Sequence, residues 1–211
     1  MKTIYFVRHG STAGNEAISY QTHETDLSEK GKAQAEVLAK RFDSIQADLI
    51  ISSEMKRAHM TAEAIATRKK IPLETHPLLH EILRPTIVRD KPQSDPEVRK
   101  IMQEIKSHFG EKDWHHSDEE NFYDLQARAE KVLSDLMNRK EENIIVVSHG
   151  HTLRAIVGVI TLGEELTPKI LNKFFHNLHT ENTGITMCKE YEGRLSLHTW
   201  NDYVHLGEIS E

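Results

Sequence analysis

The chain has 211 residues, enough for one domain with a full core or for one domain carrying a sizeable insertion. It is 37% hydrophobic and 28% charged with a formal net charge of −6, which argues against a general binder of nucleic acid or anionic membrane, since both need an excess of Lys and Arg. One cysteine, Cys188, gives neither an internal disulfide nor a thiolate zinc cluster. The apolar run Ile4–Val7 is too short for a signal peptide, and no run approaches the roughly 20 apolar residues of a membrane span. The expectation is a soluble cytoplasmic protein, monomer or homodimer.

In chain order, Ile4–Val7 reads as a buried strand that ends at Arg8 and His9. "SEKGKAQAEVLAKRF" puts Gly31, Ala35, Leu38 and Phe42 on one helical face, with Ser28 as N-cap. Leu49–Ile51 is a second strand, and "SEMKRAHMTAEAIA" a helix with Ser53 as its expected cap and Ala58, Ala62 and Ile65 inward. A weaker strand lies at Pro72–His76. The stretch from Ile82 to Glu120 holds prolines 85, 92 and 96 and mixed charge, and reads as an insertion of about residues 82–121 within a single domain of 1–211. Within it, Asp95 caps a helix with Pro96 at its first position. A helix with Phe122, Leu125, Ala129, Val132 and Leu136 inward precedes a strand at Ile144–Val147, and another helix begins near Thr152. Strands at Thr183–Tyr191 and Leu195–Trp200 flank the turn signal Glu192–Gly193. Apolar strands alternating with amphipathic helices predict a three-layer α/β/α fold. Its mostly parallel sheet has about six strands, an antiparallel C-terminal edge and a helical insertion over the ligand edge.

Ligands of open α/β sheets bind beyond the carboxyl ends of the strands. Arg8 and His9 lie at one such end and His149 and Gly150 at another, which brings two imidazoles to one edge. With 14 histidines in the chain, position and not presence decides which of them matter. Arg57 stands in the first turn of a helix, where a cation opposes the helix dipole and a bound anion would resolve the conflict. Lys56 beside it is expected to reach into solvent. Arg8, Arg57, the two histidines and an amide from Asn15 thus suggest a pocket for a small dianion, which forked guanidinium groups hold bidentately.

"RHG" after the first strand, Asn15 six residues on, "LSEKGKAQA", "SSEMKRAHMTAEAI", "SHGHTLRAIV" and "ENTGIT" occur in order along the chain. Together they resemble the histidine phosphatase superfamily, the phosphoglycerate mutase-like proteins. The resemblance implies that His9 is the nucleophile, forming a phosphohistidine, and that Arg8, Asn15, Arg57, His149 and Gly150 hold the phosphoryl group without a cofactor or metal. It implies a mutase-like branch, because Gly150 stands where the acid-phosphatase branch has aspartate. Glu81 in "PLLHEILRP" then matches the proton donor, with Glu24, Asp26 and Glu120 as less well placed alternatives.

The stretch "NEAISYQTHETDL" lacks the arginine that mutases carry there, and the insertion's bases are scattered as Arg84, Arg89, Lys91, Arg99 and Lys100. This favours a phosphomonoesterase acting on a small phosphorylated metabolite, with phosphoglycerate mutase as the alternative. A non-catalytic phospholigand binder would have lost the nucleophile or the donor, and both positions are filled. The H-x-H of His149–His151 has the form of a metal site, but no carboxylate follows it and the neighbouring arginines would repel a cation.

Overall fold

In the computed structural model, which describes residues 1–210, six strands form one sheet in the order β3-β2-β4-β1-β5-β6. They are β1 (Thr3–Arg8), β2 (Leu49–Ser52), β3 (Leu73–Thr75), β4 (Asn143–Ser148), β5 (Ile185–Tyr191) and β6 (Arg194–Asp202). The strands β1 to β4 pair in parallel, and β5 and β6 close one edge antiparallel. Glu192 and Gly193, both at positive φ, make the tight turn between them.

The period-2 alternation of side chains sorts the strand residues onto two faces. Val7, Ile50, Ile145 and Val147 pack under α2 (Glu29–Arg41), which follows the one-turn α1 (Ala13–Glu16), and under α3 (Lys56–Lys69). Ile4, Phe6, Leu49, Ile51, Ile144 and Val146 pack under α5 (Phe122–Met137), α6 (Gly150–Leu162) and α7 (Pro168–Asn177). The inward faces read from the sequence for α2, α3 and α5 are the buried ones. Ser28, Asp95 and Asn121 cap α2, α4 (Pro96–His108) and α5 through their side chains.

Two local expectations are corrected. Ser53 does not cap α3: the N-cap is Met55, without a side-chain bond, and the Ser53 hydroxyl turns to His149. The helix after β4 begins at Gly150, not near Thr152, so its first turn starts directly at the strand end. Helix α7 has no counterpart in the sequence reading, although Thr167 caps it and Pro168 opens it. Among the described residues no helix is long and apolar enough to cross a membrane.

Candidate active site

The register of the central strands assembles the site. β1 and β4 are neighbours with Arg8 opposite Ser148, so His9 and His149 leave the sheet side by side. Their ring centroids are 5.0 Å apart. β2, on the other side of β4, ends at Ser52 and delivers α3, which carries Arg57. The loop before β5 enters from the remaining side: Asn182 Nδ2 donates to the His9 carbonyl at 2.7 Å, and the Thr183 N–H donates to the Arg8 carbonyl at 2.9 Å.

A cavity of about 250 Å³ lies over this edge, lined by Arg8, His9, Asn15, Arg57, Glu81 and Gly150 among others. These are the predicted site residues except His149, which is fully buried just beneath. The His9 Nδ1 lies 2.7 Å from the Gly10 carbonyl, an acceptor only, so Nδ1 carries the hydrogen and Nε2 keeps a lone pair. The Arg57 Nε–H donates to that Nε2 at 3.3 Å. Burial, with the Arg57 and Arg8 guanidinium groups beside it, holds His9 well below the usual histidine range. His9 is therefore a neutral base at pH 7, with its free nitrogen toward the cavity.

Arg57 is itself desolvated. Burial brings its pKa down to about 10, with Glu81 opposing the shift and Arg8 adding to it. Its other donors go to the Thr22 carbonyl at 2.8 Å and to Met55 Sδ at 3.1 Å. Lys56 pairs with Asp26 at the surface, as its outward reading required. Asn15 turns its Oδ1 to the Thr12 N–H and hydroxyl, at 3.2 and 3.0 Å, leaving its NH₂ for a ligand.

Several polar atoms here are buried and lack a partner: Arg8 Nε, His149 Nδ1 and Thr180 Oγ1. Two of them converge on Gly150. A methyl group placed on that glycine would lie 3.3 Å from Thr180 Oγ1, 3.6 Å from Arg8 Nε and 3.2 Å from Arg154 Nη1. That spot, ringed by donors and left open by the missing side chain, suits an anionic oxygen. Gly10, next to the nucleophile, plays a different part from Gly150. A Cβ there would stand 2.6 Å from the Gly31 carbonyl, so Gly10 is required by the close packing of this loop on α2.

Glu81 lies at the N-terminus of α6, where its carboxylate accepts from the backbone N–H groups of Ile82, His151 and Thr152 at 2.9 to 3.3 Å. Burial pushes this carboxyl up, but the His151 and His149 rings and the Ile82 N–H outweigh burial and hold it well below the usual range. The alternatives named for the donor stand elsewhere. Asp26 is paired with Lys56, Glu24 is exposed and off the cavity, and Glu120 is held by Arg128 through two bonds of 2.6 and 2.7 Å. The H-x-H residues do not converge either: His149 meets Ser53 at 2.9 Å and His151 meets Glu81 at 3.4 Å.

Sequence reading missed Arg84, Arg89, Arg154, Thr180 and Tyr20, all of which line the cavity. The scattered spacing of the insertion's bases, taken as a sign against a basic cluster, is misleading. Arg84 and Arg89 reach the same cavity as His9, because the segment folds back over the site. The backbones of residues 18–20 and 90–93 are stitched together there by three hydrogen bonds of the Tyr20, Asp90 and Gln93 N–H groups and the Ser19–Pro92 bridge contact. Arg154 was within reach of the sequence, since it stands four residues after Gly150 and so on the same helical face.

Known proteins are similar to this chain in sequence and in fold. The Arabidopsis thaliana "Metal-independent phosphoserine phosphatase" is 28% identical over 214 residues, covering 98% of this chain and 84% of that protein. The Escherichia coli K12 "Adenosylcobalamin/alpha-ribazole phosphatase" is 28% identical over 164 residues, 73% of this chain and 76% of that one. The solved structure of Bacillus stearothermophilus YhfR superposes with a TM-score of 0.81 at 24% identity, covering 98% of this chain and 100% of that one. The family model for the histidine phosphatase superfamily (branch 1) matches residues 4–203, and the chain belongs to that superfamily.

Proposed function

We propose that this phosphatase is a metal-independent phosphomonoesterase that works through a phosphohistidine on His9, with a small phosphorylated metabolite as substrate. The observation that carries the reading is the His9 tautomer: the Gly10 carbonyl fixes the hydrogen on Nδ1, and the lone pair of Nε2 faces a cavity rich in guanidinium groups. Nε2 attacks phosphorus in line, the N–P bond forms and the bond to the leaving oxygen breaks. Arg57 gives up its bond to Nε2 and, with Arg8, Asn15 and the Gly150 N-terminus of α6, takes the equatorial oxygens. If Ser53 donates to His149 Nε2, the proton of His149 lies on the unpartnered Nδ1, a further donor for the anion.

The leaving alkoxide takes its proton from Glu81. In the second step Glu81, now a carboxylate, takes a proton from water, whose oxygen attacks phosphorus and releases phosphate from His9. Positive charge comes from the arginines, so no divalent ion is called for. The test is release of p-nitrophenol from p-nitrophenyl phosphate in EDTA by the protein and by His9→Ala. Turnover is expected to survive the chelator and to fall at least 10³-fold in the variant; full activity of His9→Ala would remove His9 from the nucleophile's role.

A further inference from the structure

Among the described residues, Glu81 has one side-chain neighbour from which a proton can come. The backbone N–H groups of Ile82, His151 and Thr152 hold its carboxylate but give up no proton. The Thr152 hydroxyl lies 3.4 Å away, yet its single hydrogen goes to the His80 carbonyl at 2.6 Å. That leaves His151, whose Nδ1 stands 3.4 Å from Glu81 Oε2. A carboxylate only accepts, so Nδ1 carries the hydrogen of the neutral ring and Nε2 keeps the lone pair.

His151 is the second residue of α6, and its own N–H donates to the same carboxylate, so backbone and ring are tied to one partner. The Phe175 ring of α7 meets the imidazole edge to face, with centroids 4.8 Å apart, and fixes its plane. The side chain is 36% exposed and lines the cavity, and among the described residues its Nε2 meets no partner and is not buried. One nitrogen thus faces the carboxylate and the other faces solvent. The charged groups that act on the ring are Glu81, Arg84 of the insertion and Arg154, one turn further along α6. Burial and the two arginines disfavour the imidazolium and Glu81 favours it; the net effect holds the ring below the usual histidine range.

We infer that His151 relays protons between solvent and Glu81. As Nε2 takes a proton from a solvent acid, Nδ1 passes its own to Glu81 Oε2, and the new carboxylic O–H donates back to Nδ1. The ring is neutral before and after, so the cation that the arginines oppose does not accumulate. The reverse transfer discharges Glu81 once phosphate has left: Nδ1 regains its proton and Nε2 gives one to solvent. The inference rests on the phosphatase reading, because a cycle in which Glu81 gives and regains a proton is what needs this path. In it His151 is a positioning residue, acting through Glu81 and not on the substrate.

The test compares wild type, His151→Asn, Glu81→Gln and the double variant on glycerol 3-phosphate and on p-nitrophenyl phosphate. Asparagine keeps an amide donor toward Glu81 but passes no proton. In His151→Asn, kcat for glycerol 3-phosphate is expected to fall roughly 10- to 100-fold, with a smaller loss on p-nitrophenyl phosphate, whose leaving group needs no proton. Added imidazole is expected to restore the lost turnover in this variant in proportion to its concentration and to leave wild type unchanged. In the Glu81→Gln background the second substitution is expected to cost less than about twofold, since the two residues act as one unit. Thermal melts check that the variants fold. Equal losses on the two substrates without rescue by imidazole would make His151 a structural neighbour and overturn the inference. A further loss of roughly tenfold in the Glu81→Gln background would overturn it too, by showing independent action. Wild type that hydrolyses neither substrate would overturn the phosphatase reading and the relay with it. Wild type that hydrolyses both, matched by folded His151→Asn, would overturn the relay alone.

Discussion

Arg128 is the side chain on which the position of Glu81 depends most directly. It is 7% exposed on α5, donates to both oxygens of the buried Glu120, and donates through Nη1 to the Leu78 and His80 carbonyls at 2.8 and 2.9 Å. It thereby holds the turn just before Glu81, while Leu83 and Glu120 exchange two backbone-directed bonds on the other side. In Arg128→Leu, Glu120 stays buried with the Leu83 N–H as its only remaining donor among those bonds, and two carbonyls lose their partner. Removing one member of a buried ion pair costs about 3–5 kcal/mol, because the other is left uncompensated. At about 2–4 °C per kcal/mol for a chain of this size, the melting temperature should fall by roughly 6–20 °C. The double variant Glu120→Leu/Arg128→Leu removes both charges and should recover most of that loss. Urea unfolding of wild type, both singles and the double gives the coupling. A cost under about 1 kcal/mol for Arg128→Leu, or a double variant no better than the single, would refute the assignment. Because the turn carries Glu81, kcat should fall in Arg128→Leu even where the protein is fully folded.

Glu81→Gln is expected to slow hydrolysis of an alkyl phosphate by 10²-fold or more and that of p-nitrophenyl phosphate much less, since p-nitrophenolate leaves without a proton; equal losses would argue against a donor. His9, His149 and His151 are all held below the histidine range by burial, so the unfolded chain binds more protons than the folded one once the pH drops below about 6.5. Stability is therefore fully present above that pH and is lost as pH falls toward the depressed folded values, by up to about 1.4 kcal/mol per pH unit for each histidine. Urea midpoints measured between pH 7.5 and 5.5 check the sign, and a rise on acidification would contradict it. Gly150→Ala puts a methyl group where Arg8, Arg154 and Thr180 converge. Its kcat/KM should fall at least tenfold, while thermal stability is unchanged or slightly raised, because alanine is favoured over glycine in a helix by roughly 0.5–1 kcal/mol.

Much of this was legible in the sequence, for reasons visible in particular elements. The central strands β1, β2 and β4 are apolar runs buried on both faces, so they stand out, and a strand end that changes abruptly to Arg8-His9 or Ser148-His149-Gly150 marks the ligand edge. Arg57 was legible because it breaks a local rule in the first turn of α3, and the structure shows its guanidinium turned inward on His9. What stayed hidden depends on chain reversal. Arg84 and Arg89 reach the cavity only because residues 90–93 are stitched to 18–20, a pairing of short irregular segments that no periodicity announces. Thr180 enters through the connection to the antiparallel strand β5, and Ser53, which looks like a helix cap, is drawn away by His149, 96 residues distant in sequence. The direction of the Glu81 shift was hidden for the same reason, since its donors belong to α6.

That direction bears on how the site would work. Glu81 is a carboxylate stabilised by N–H donors at a helix start, which is the wrong form for protonating an alkoxide. The phosphoryl dianion changes the balance. At an effective dielectric constant near 20, a unit charge about 5 Å away contributes about 3 kcal/mol, or more than two pK units, and a dianion contributes more. Substrate binding would thus raise the pKa of Glu81 at the moment a proton is required, and departure of the alkoxide would return it to the carboxylate that the water step uses. Arg8, Arg57 and Arg154, crowded into one small cavity and each lowered from its normal value by burial, gain from the same event. In the proposed mechanism the anion that would switch Glu81 to its acid form would also relieve their mutual repulsion, so that binding and general acid catalysis would draw on a single electrostatic change.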